Sequence, residues 1–416
     1  MARNPAPLTF TIFAALLASS GFSLSTKAAE WSATPSISLQ ELYNDNFLLT
    51  TTPEPAVTGT VITPRVDLTA QQENWNLTGT TQWTNSRYSG QSGLDTNGQY
   101  LYLNSSFKTQ RSTWQLAGTY ANESVLTGTQ NVSDIGLVHT QMQRITRNIG
   151  PTWTWAISDT SQVQVAYQRS DVSYGSSGAA AQLYDYTQDS SSLTLARNLS
   201  ERTQIFGVVN YTDFHVPVMQ ISGTNVTSKT TSGELGVSEN FTERLTGSLY
   251  AGAQNTRTSG TQCDPIILSL FGQCFLEPTF TKDSGSVYNA SLQEQFETGN
   301  MSLVLSRAVA PSGAGTQVQT DTDTFSVNTQ LSERLGGAVY FNYYRIHGIG
   351  QSLSGVDRNL YSGGPSLRWR WTENLTATAA YQYMWQKDTD PNSQSAASNA
   401  VFLSLSYAWP AFAISR

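Results

Sequence analysis

Apolar and polar residues alternate along most of this chain. Trp75, Leu77, Gly79, Thr81 and Trp83 share one parity, and Asn76, Thr78, Thr80 and Gln82 share the other. The stretches Leu375–Trp385 and Val401–Trp409 repeat the pattern. A strand turns its side chains to opposite faces at every step, so each run builds one apolar and one polar face. About ten such residues cross a membrane as a tilted strand of a barrel wall. Apolar spacings of three and four, which a long amphipathic helix needs, are not found.

A recurring polar turn separates these runs: Ser158-Asp159-Thr160, Ser200-Glu201-Arg202, Thr242-Glu243-Arg244, Ser332-Glu333-Arg334 and Thr372-Glu373-Asn374. Short connections of this kind join neighbouring antiparallel strands, and in outer-membrane barrels they face the periplasm. The repeat is a hairpin plus one external loop. Solenoids and propellers have similar periods but lack a single lipid-facing parity flanked by Trp and Tyr. The alternation predicts strands over about 35–43, 60–71, 75–88, 99–109, 113–126, 143–156, 161–174, 184–199, 203–216, 226–241, 245–257, 283–297, 301–310, 316–331, 335–346, 358–371, 375–387 and 398–409. The expected fold is therefore all-β, a transmembrane antiparallel up-and-down β-barrel of about 18 strands with both termini periplasmic. If the first strand fails, 16 is the next even number. Loops at 89–98, 127–142, 175–183, 258–282 and 388–397 are rich in small and polar residues.

The last strand places Leu403, Leu405, Tyr407 and Trp409 on one face and ends on an aromatic. It resembles the C-terminal recognition strand of outer-membrane barrels, which implies the barrel assembly machinery as a partner. Pro410 and a tail, 410–416, follow it, and Pro410 is expected to end the ladder.

Composition agrees. Charged residues make up 13% of the chain and apolar ones 38%, and a soluble domain carries roughly 25% charge. Arg3, the apolar run Leu8–Leu24 and the small residues before Glu30 read as a secretory signal peptide over 1–28, cut after Ala28 or Ala29. The alternative is a membrane anchor, but the apolar core is short and broken by Ser19, Ser20 and Gly21. The barrel then occupies 29–416. Losing Arg3 and Lys27 leaves 21 basic residues against 30 acidic ones, a net charge of −9. That excludes a nucleic-acid partner, which wants a basic face. Cys263 and Cys274 read as a local disulfide in an oxidising compartment, or as unlinked thiols. The loop 258–282 that holds them carries the apolar Ile266–Phe271, a candidate plug or external lid.

No catalytic constellation emerges, and the chain is not expected to be an enzyme or to hold a cofactor. His139, His215 and His347 are far apart and lack metal-ligand spacing. Asp321 and Asp323 share one face near the external rim, a divalent-cation candidate or simply solvated acids. Parity against Leu367, Trp369 and Trp371 turns Arg368 and Arg370 into the lumen. The same argument puts Arg65, Asp67, Lys108, Arg144, Tyr100, Tyr102, Tyr250, Tyr340 and Tyr344 inside, among Gln82, Gln164, Asn342 and Gln382. Such a wall is either a generic hydrated lumen or a track for sugar rings, on which arginines attract acidic sugars. Trp83, Trp114, Trp153, Trp155, Trp369, Trp371 and Trp385 are expected in the interface girdles.

Four stretches in order, Thr34–Asn46, Arg147–Trp155, Ser306-Arg307 with Pro311–Gly315, and Leu405–Pro410, together resemble the outer-membrane barrels associated with exosortase (PEP-CTERM) systems and exopolysaccharide gene clusters. The cysteine-bearing segment departs from that family. The resemblance implies an outer-membrane conduit for a bacterial exopolysaccharide, completing the route for a separate periplasmic polysaccharide export protein. Outer-membrane lipid, lipopolysaccharide and the polysaccharide itself are the other expected partners. A general diffusion porin and a structural barrel are the alternatives.

Overall fold

The computed structural model describes residues 29–52, 55–91, 93–125, 142–175, 183–217, 225–263, 276–349, 357–388 and 393–415. The expected signal peptide lies outside them. Nineteen strands follow one another: β1 (Glu30–Asn44), β2 (Val57–Gln72), β3 (Trp75–Ser89), β4 (Thr96–Lys108), β5 (Ser112–Ser124), β6 (Gln143–Ser158), β7 (Ser161–Tyr174), β8 (Tyr186–Asn198), β9 (Thr203–Val216), β10 (Val226–Asn240), β11 (Leu245–Cys263), β12 (Leu276–Phe296), β13 (Gly299–Pro311), β14 (Gln317–Gln330), β15 (Leu335–Gly348), β16 (Arg358–Arg370), β17 (Leu375–Asp388), β18 (Ser395–Ala408) and β19 (Phe412–Ser415). Each of the first eighteen pairs antiparallel with its sequence neighbours. β1 closes the ring on β18, from Ser36 opposite Ala408 to Asn44 opposite Ala400. Closure leaves no sheet edge in the hydrocarbon, which is what a lipid environment demands of backbone polar groups. The chain is an 18-stranded outer-membrane β-barrel.

Eight tight connections lie at one end together with both termini, the periplasmic end, and the longer ones lie at the other. The turns explain their own sequences. Thr242 Oγ1 accepts hydrogen bonds from the backbone N–H of Arg244 (3.2 Å) and Leu245 (2.9 Å). Ser200 and Thr372 repeat the arrangement. A hydroxyl at the first position satisfies N–H groups that the reversal takes out of the ladder.

Three sequence expectations need correction. The first strand is present as expected, but it starts at Glu30 rather than near residue 35 and pairs with β2 over its full length. Loop 258–282 is shorter than expected, because β11 reaches Cys263 and β12 begins at Leu276, with Cys263 opposite Leu276. Gly, Ser and Thr there obscured the alternation without preventing backbone pairing. Finally, Pro410 interrupts the ladder but does not end it: Phe412–Ser415 pairs with Glu30–Ala33 of β1. Cys274 and Ile266–Phe271 fall outside the described residues.

Candidate translocation pathway

Directly opposed residues on antiparallel strands share a face, so one assignment propagates around the closed ring. Leu367 opposes Gly337 and Ala379, and Ala379 opposes Leu403. The face they share carries the large exposed apolar residues, among them Leu193, Leu235, Leu249, Val339 and Leu403. It faces lipid. The other face holds Arg65, Asp67, Tyr100, Tyr102, Lys108, Arg144, Gln164, Tyr250, Tyr340, Tyr344, Arg368 and Arg370.

These candidates are spread over the full height of the lumen. Lys108 and Arg368 sit near the periplasmic mouth and have no ion pair among the described residues, while Arg370 donates to the carbonyl of Glu333 in the neighbouring turn (2.8 Å). Arg65 is paired with Asp67 (2.6 Å), which also accepts from Thr80. Arg144, buried near the external end, donates to Tyr186 Oη (3.3 Å). Tyr250 meets Phe206 edge-on at 5.8 Å, and the site needs Gly236 between them. A Cβ there would lie 2.5 Å from Tyr250 and 2.6 Å from Phe206.

The lumen is narrowed by a hairpin that the sequence did not reveal. Pairing of β12 with β13 stops at Tyr288 opposite Arg307. β13 and β14 continue together to Pro311 opposite Gln317. Above the stop, the tip of this hairpin lies beneath the β10–β12 wall. Gln317 belongs to the outward parity of β14, yet its Oε1 accepts from Thr230 on the inner face of β10 (2.9 Å). Gln319, of the same parity, reaches the inner face of β12: a Cβ on Gly285 would lie 3.3 Å from its Oε1. Further across, Tyr184 N–H donates to the Gly313 carbonyl (2.8 Å). The reversal is possible because Gly315 takes φ +80°, a conformation costly for other residues, and donates to Ser312 O. Val318, at its base, has no exposed surface.

Between this tip and the wall lies a cavity of about 520 Å3. Gln168, Ser190, Asn210, Thr212, Thr230, Ser232, Glu234, Tyr250 and Gln254 line it. Their polar groups form rungs across the strands: Asn210 Nδ2 donates to Ser232 Oγ (3.1 Å) and Glu234 Oε1 (3.0 Å), and Ser190 and Thr212 hydroxyls lie 3.2 Å apart.

Higher up, the external mouth is apolar inside. Val172, Tyr186, Phe214 and Val216 pack together. Val125, Met142 and Leu183 form a second group. On the opposite side the β1–β2 connection folds inward. Leu48 packs with Val57 and Leu94, and Leu49 with Leu360 and Ala396. Leu49 is 1% exposed at φ +51°, and its carbonyl accepts from Gln386 Nε2 (3.0 Å). Asn46 Nδ2 anchors the loop to Ala397 O (2.9 Å). Tyr344, one of the inward tyrosines, packs against the Leu49 group. Polar residues line the mid-lumen cavity and apolar groups line the described part of the external mouth, a difference that strand parity alone does not carry.

On the outer wall the aromatic girdles separate by end. Trp114 stacks on Trp153 (5.5 Å), and Trp369 on Trp371 (5.4 Å), near the periplasmic turns. Tyr343, Tyr361 and Trp385 form a chain towards the external rim, with Tyr211, Tyr288 and Trp83 on the same face. Leu403, Leu405, Tyr407 and Trp409 all face lipid, and Tyr407 meets Trp409 at 5.0 Å. Asp321 is taken by Arg307 (2.6 Å) rather than left for a cation. Among the described residues no group of three or more His, Cys, Asp or Glu side chains is placed to hold a metal.

No family model matches the chain, and no curated relative does. Among solved structures it is similar to the closed form of the ferric-catecholate import receptor Fiu from E. coli K12 (8% identity, 90% of this chain and 81% of that one, TM-score 0.46). It is also similar to the siderophore receptor PiuA from Acinetobacter baumannii (7%, 93% and 82%, 0.44) and to the alcaligin outer-membrane receptor FauA from Bordetella pertussis (12%, 90% and 76%, 0.42). At these values the likeness assigns no cargo to this barrel.

Proposed function

We propose that this barrel is an outer-membrane conduit for export of a bacterial exopolysaccharide, supplied from below by a periplasmic export protein. The observation that carries the reading is the mid-height inner wall from β7 to β11, a field of hydroxyl and amide groups with the Phe206 and Tyr250 rings and one carboxylate, Glu234. Sugar rings offer many hydroxyls and one flat apolar face, and such a wall meets both with weak, interchangeable contacts. Passage needs binding that is favourable enough to admit a chain and weak enough to release it. An 18-stranded ring is wide enough for an aqueous lumen, and the inward hairpin and the apolar mouth close it down to a controlled path. Lys108 and Arg368 at the periplasmic mouth, without an ion pair among the described residues, favour entry of acidic polymers.

Surface polysaccharide on intact cells of a deletion strain tests this. Export should be lost while synthesis at the inner membrane continues. If surface sugar is unchanged and uptake of small hydrophilic solutes falls, the barrel is a diffusion porin instead.

A further inference from the structure

On the outward face one ladder row runs from Arg169 through Asp189, Asp213, Lys229 and Arg257 to Lys282, each residue directly opposite the next on β7 to β12. The row begins balanced. Arg169 reaches Asp171 (3.3 Å) and Asp189 (3.4 Å), and Lys229 reaches Asp213 (3.8 Å). It ends in three adjacent cations, Lys229, Arg257 and Lys282. Among the described residues neither Arg257 nor Lys282 has an ion pair or a side-chain hydrogen bond, and all three are exposed. Like charges directly opposite one another destabilise a sheet, so this arrangement calls for an anion.

Its position says which anion. The row immediately below, one outward position nearer the membrane, is Tyr211, Thr231, Asn255 and Ser284, and Tyr211 belongs to the external aromatic girdle that marks headgroup depth. At the far end the row stops on a free edge, because β12 has lost its pairing with β13 above Tyr288. Among the described residues, Lys282 is therefore flanked by no further wall strand. Neighbouring strands lie about 4.8 Å apart, so Lys229 and Lys282 stand about 10 Å apart with Arg257 between them. That spacing suits a phosphate group held by the planar fork of Arg257 and two flanking ammonium groups.

We infer that Lys229, Arg257 and Lys282 form a docking site for the phosphorylated headgroup of an outer-leaflet glycolipid, with its acyl chains lying along the apolar wall of β10–β12. Adjacent leucines on that wall, Leu235 and Leu249, are exposed towards lipid.

The test uses the complete barrel folded in detergent, titrated with bisphosphorylated lipid A and with its dephosphorylated form, with bound lipid counted by native mass spectrometry. The phosphorylated form should bind at least about tenfold more tightly, and the Lys229→Gln, Arg257→Gln, Lys282→Gln triple variant should lose that preference. Lys387→Gln, an outward cation on β17, should keep it. Should the triple variant not assemble, loss of the preference in Arg257→Gln alone carries the test. Equal binding of the two lipids to the wild type overturns the site. So does an equal loss in Lys387→Gln, which would mean general surface charge. Full displacement of lipid A by equimolar inorganic phosphate also overturns it, since the site would then serve a soluble anion.

Discussion

Phe214 and Leu49 show how single residues hold the external mouth. Phe214 has no exposed surface and packs against Tyr186 at 5.3 Å between ring centres. Truncating a buried Phe to Ala removes its burial and leaves a cavity, at a cost of about 3–5 kcal/mol. Phe214→Ala should therefore lower the urea midpoint for unfolding in vesicles and loosen the mouth above it. Leu49 is different, because it combines complete burial with a left-handed backbone that disfavours Leu. Leu49→Gly relieves the backbone but empties the contact with Leu360, so the β1–β2 connection should detach. A rise in single-channel conductance in planar bilayers is the expected readout, and an unchanged conductance would show that this loop does not occlude the path. Charge acts further down. Arg368 has no ion pair in the described lumen, so Arg368→Glu should impair export of an acidic polymer more than that of a neutral one, measured as surface sugar in matched strains. Arg370 is a poorer test, because its bond to Glu333 O ties it to the turn.

Among the elements, the β13–β14 hairpin governs the width of the lumen. Its tip is largely buried, and bonds of Gln317 with Thr230 and of Gly313 with Tyr184 tie it to the facing wall. Shortening the tip by removing 312–316 and closing it with a two-residue turn should raise conductance severalfold while the barrel still shows a heat-modifiable band. Loss of that band would mean that the hairpin supports the wall rather than narrowing the pore. The final strand makes another element-scale prediction. β18 and β19 together clasp β1, and Trp409 lies at the junction with its N–H donating to Pro35 O (3.0 Å). Trp409→Ala keeps that backbone bond but removes the ring from Tyr407 and from the girdle, so outer-membrane levels of the protein should fall. Normal levels would place the recognition signal elsewhere.

For the whole molecule, alternation along the chain decided the fold class. Period two fixes which residues share a face, the turns space the hairpins, and lipid forbids any open edge, so a closed ring of about 18 strands with Trp114 and Trp369 facing out is expected from sequence alone, and the pairing of β1 with β2 and β18 decides 18 over 16. The inward set, from Arg65 to Arg370, follows from the same parity. Parity says nothing, however, about how far a residue lies from another on a strand that is not its neighbour. The contacts of Gln317 with Thr230, of Tyr344 with the Leu49 group, and of Tyr184 with Gly313 cross the lumen. The Gln317 and Gly313 contacts follow from a ladder that stops at Tyr288 and Arg307, and the apolar run Ala308–Pro311 gives no parity from which that stop could be read. The cationic row Lys229–Arg257–Lys282 is likewise invisible along the chain, where its members are 25 or more positions apart. The sequence determined the ring and its two faces through local side-chain period. Only the tertiary structure decided where the ring is narrowed and which charges meet, because both depend on register between distant segments.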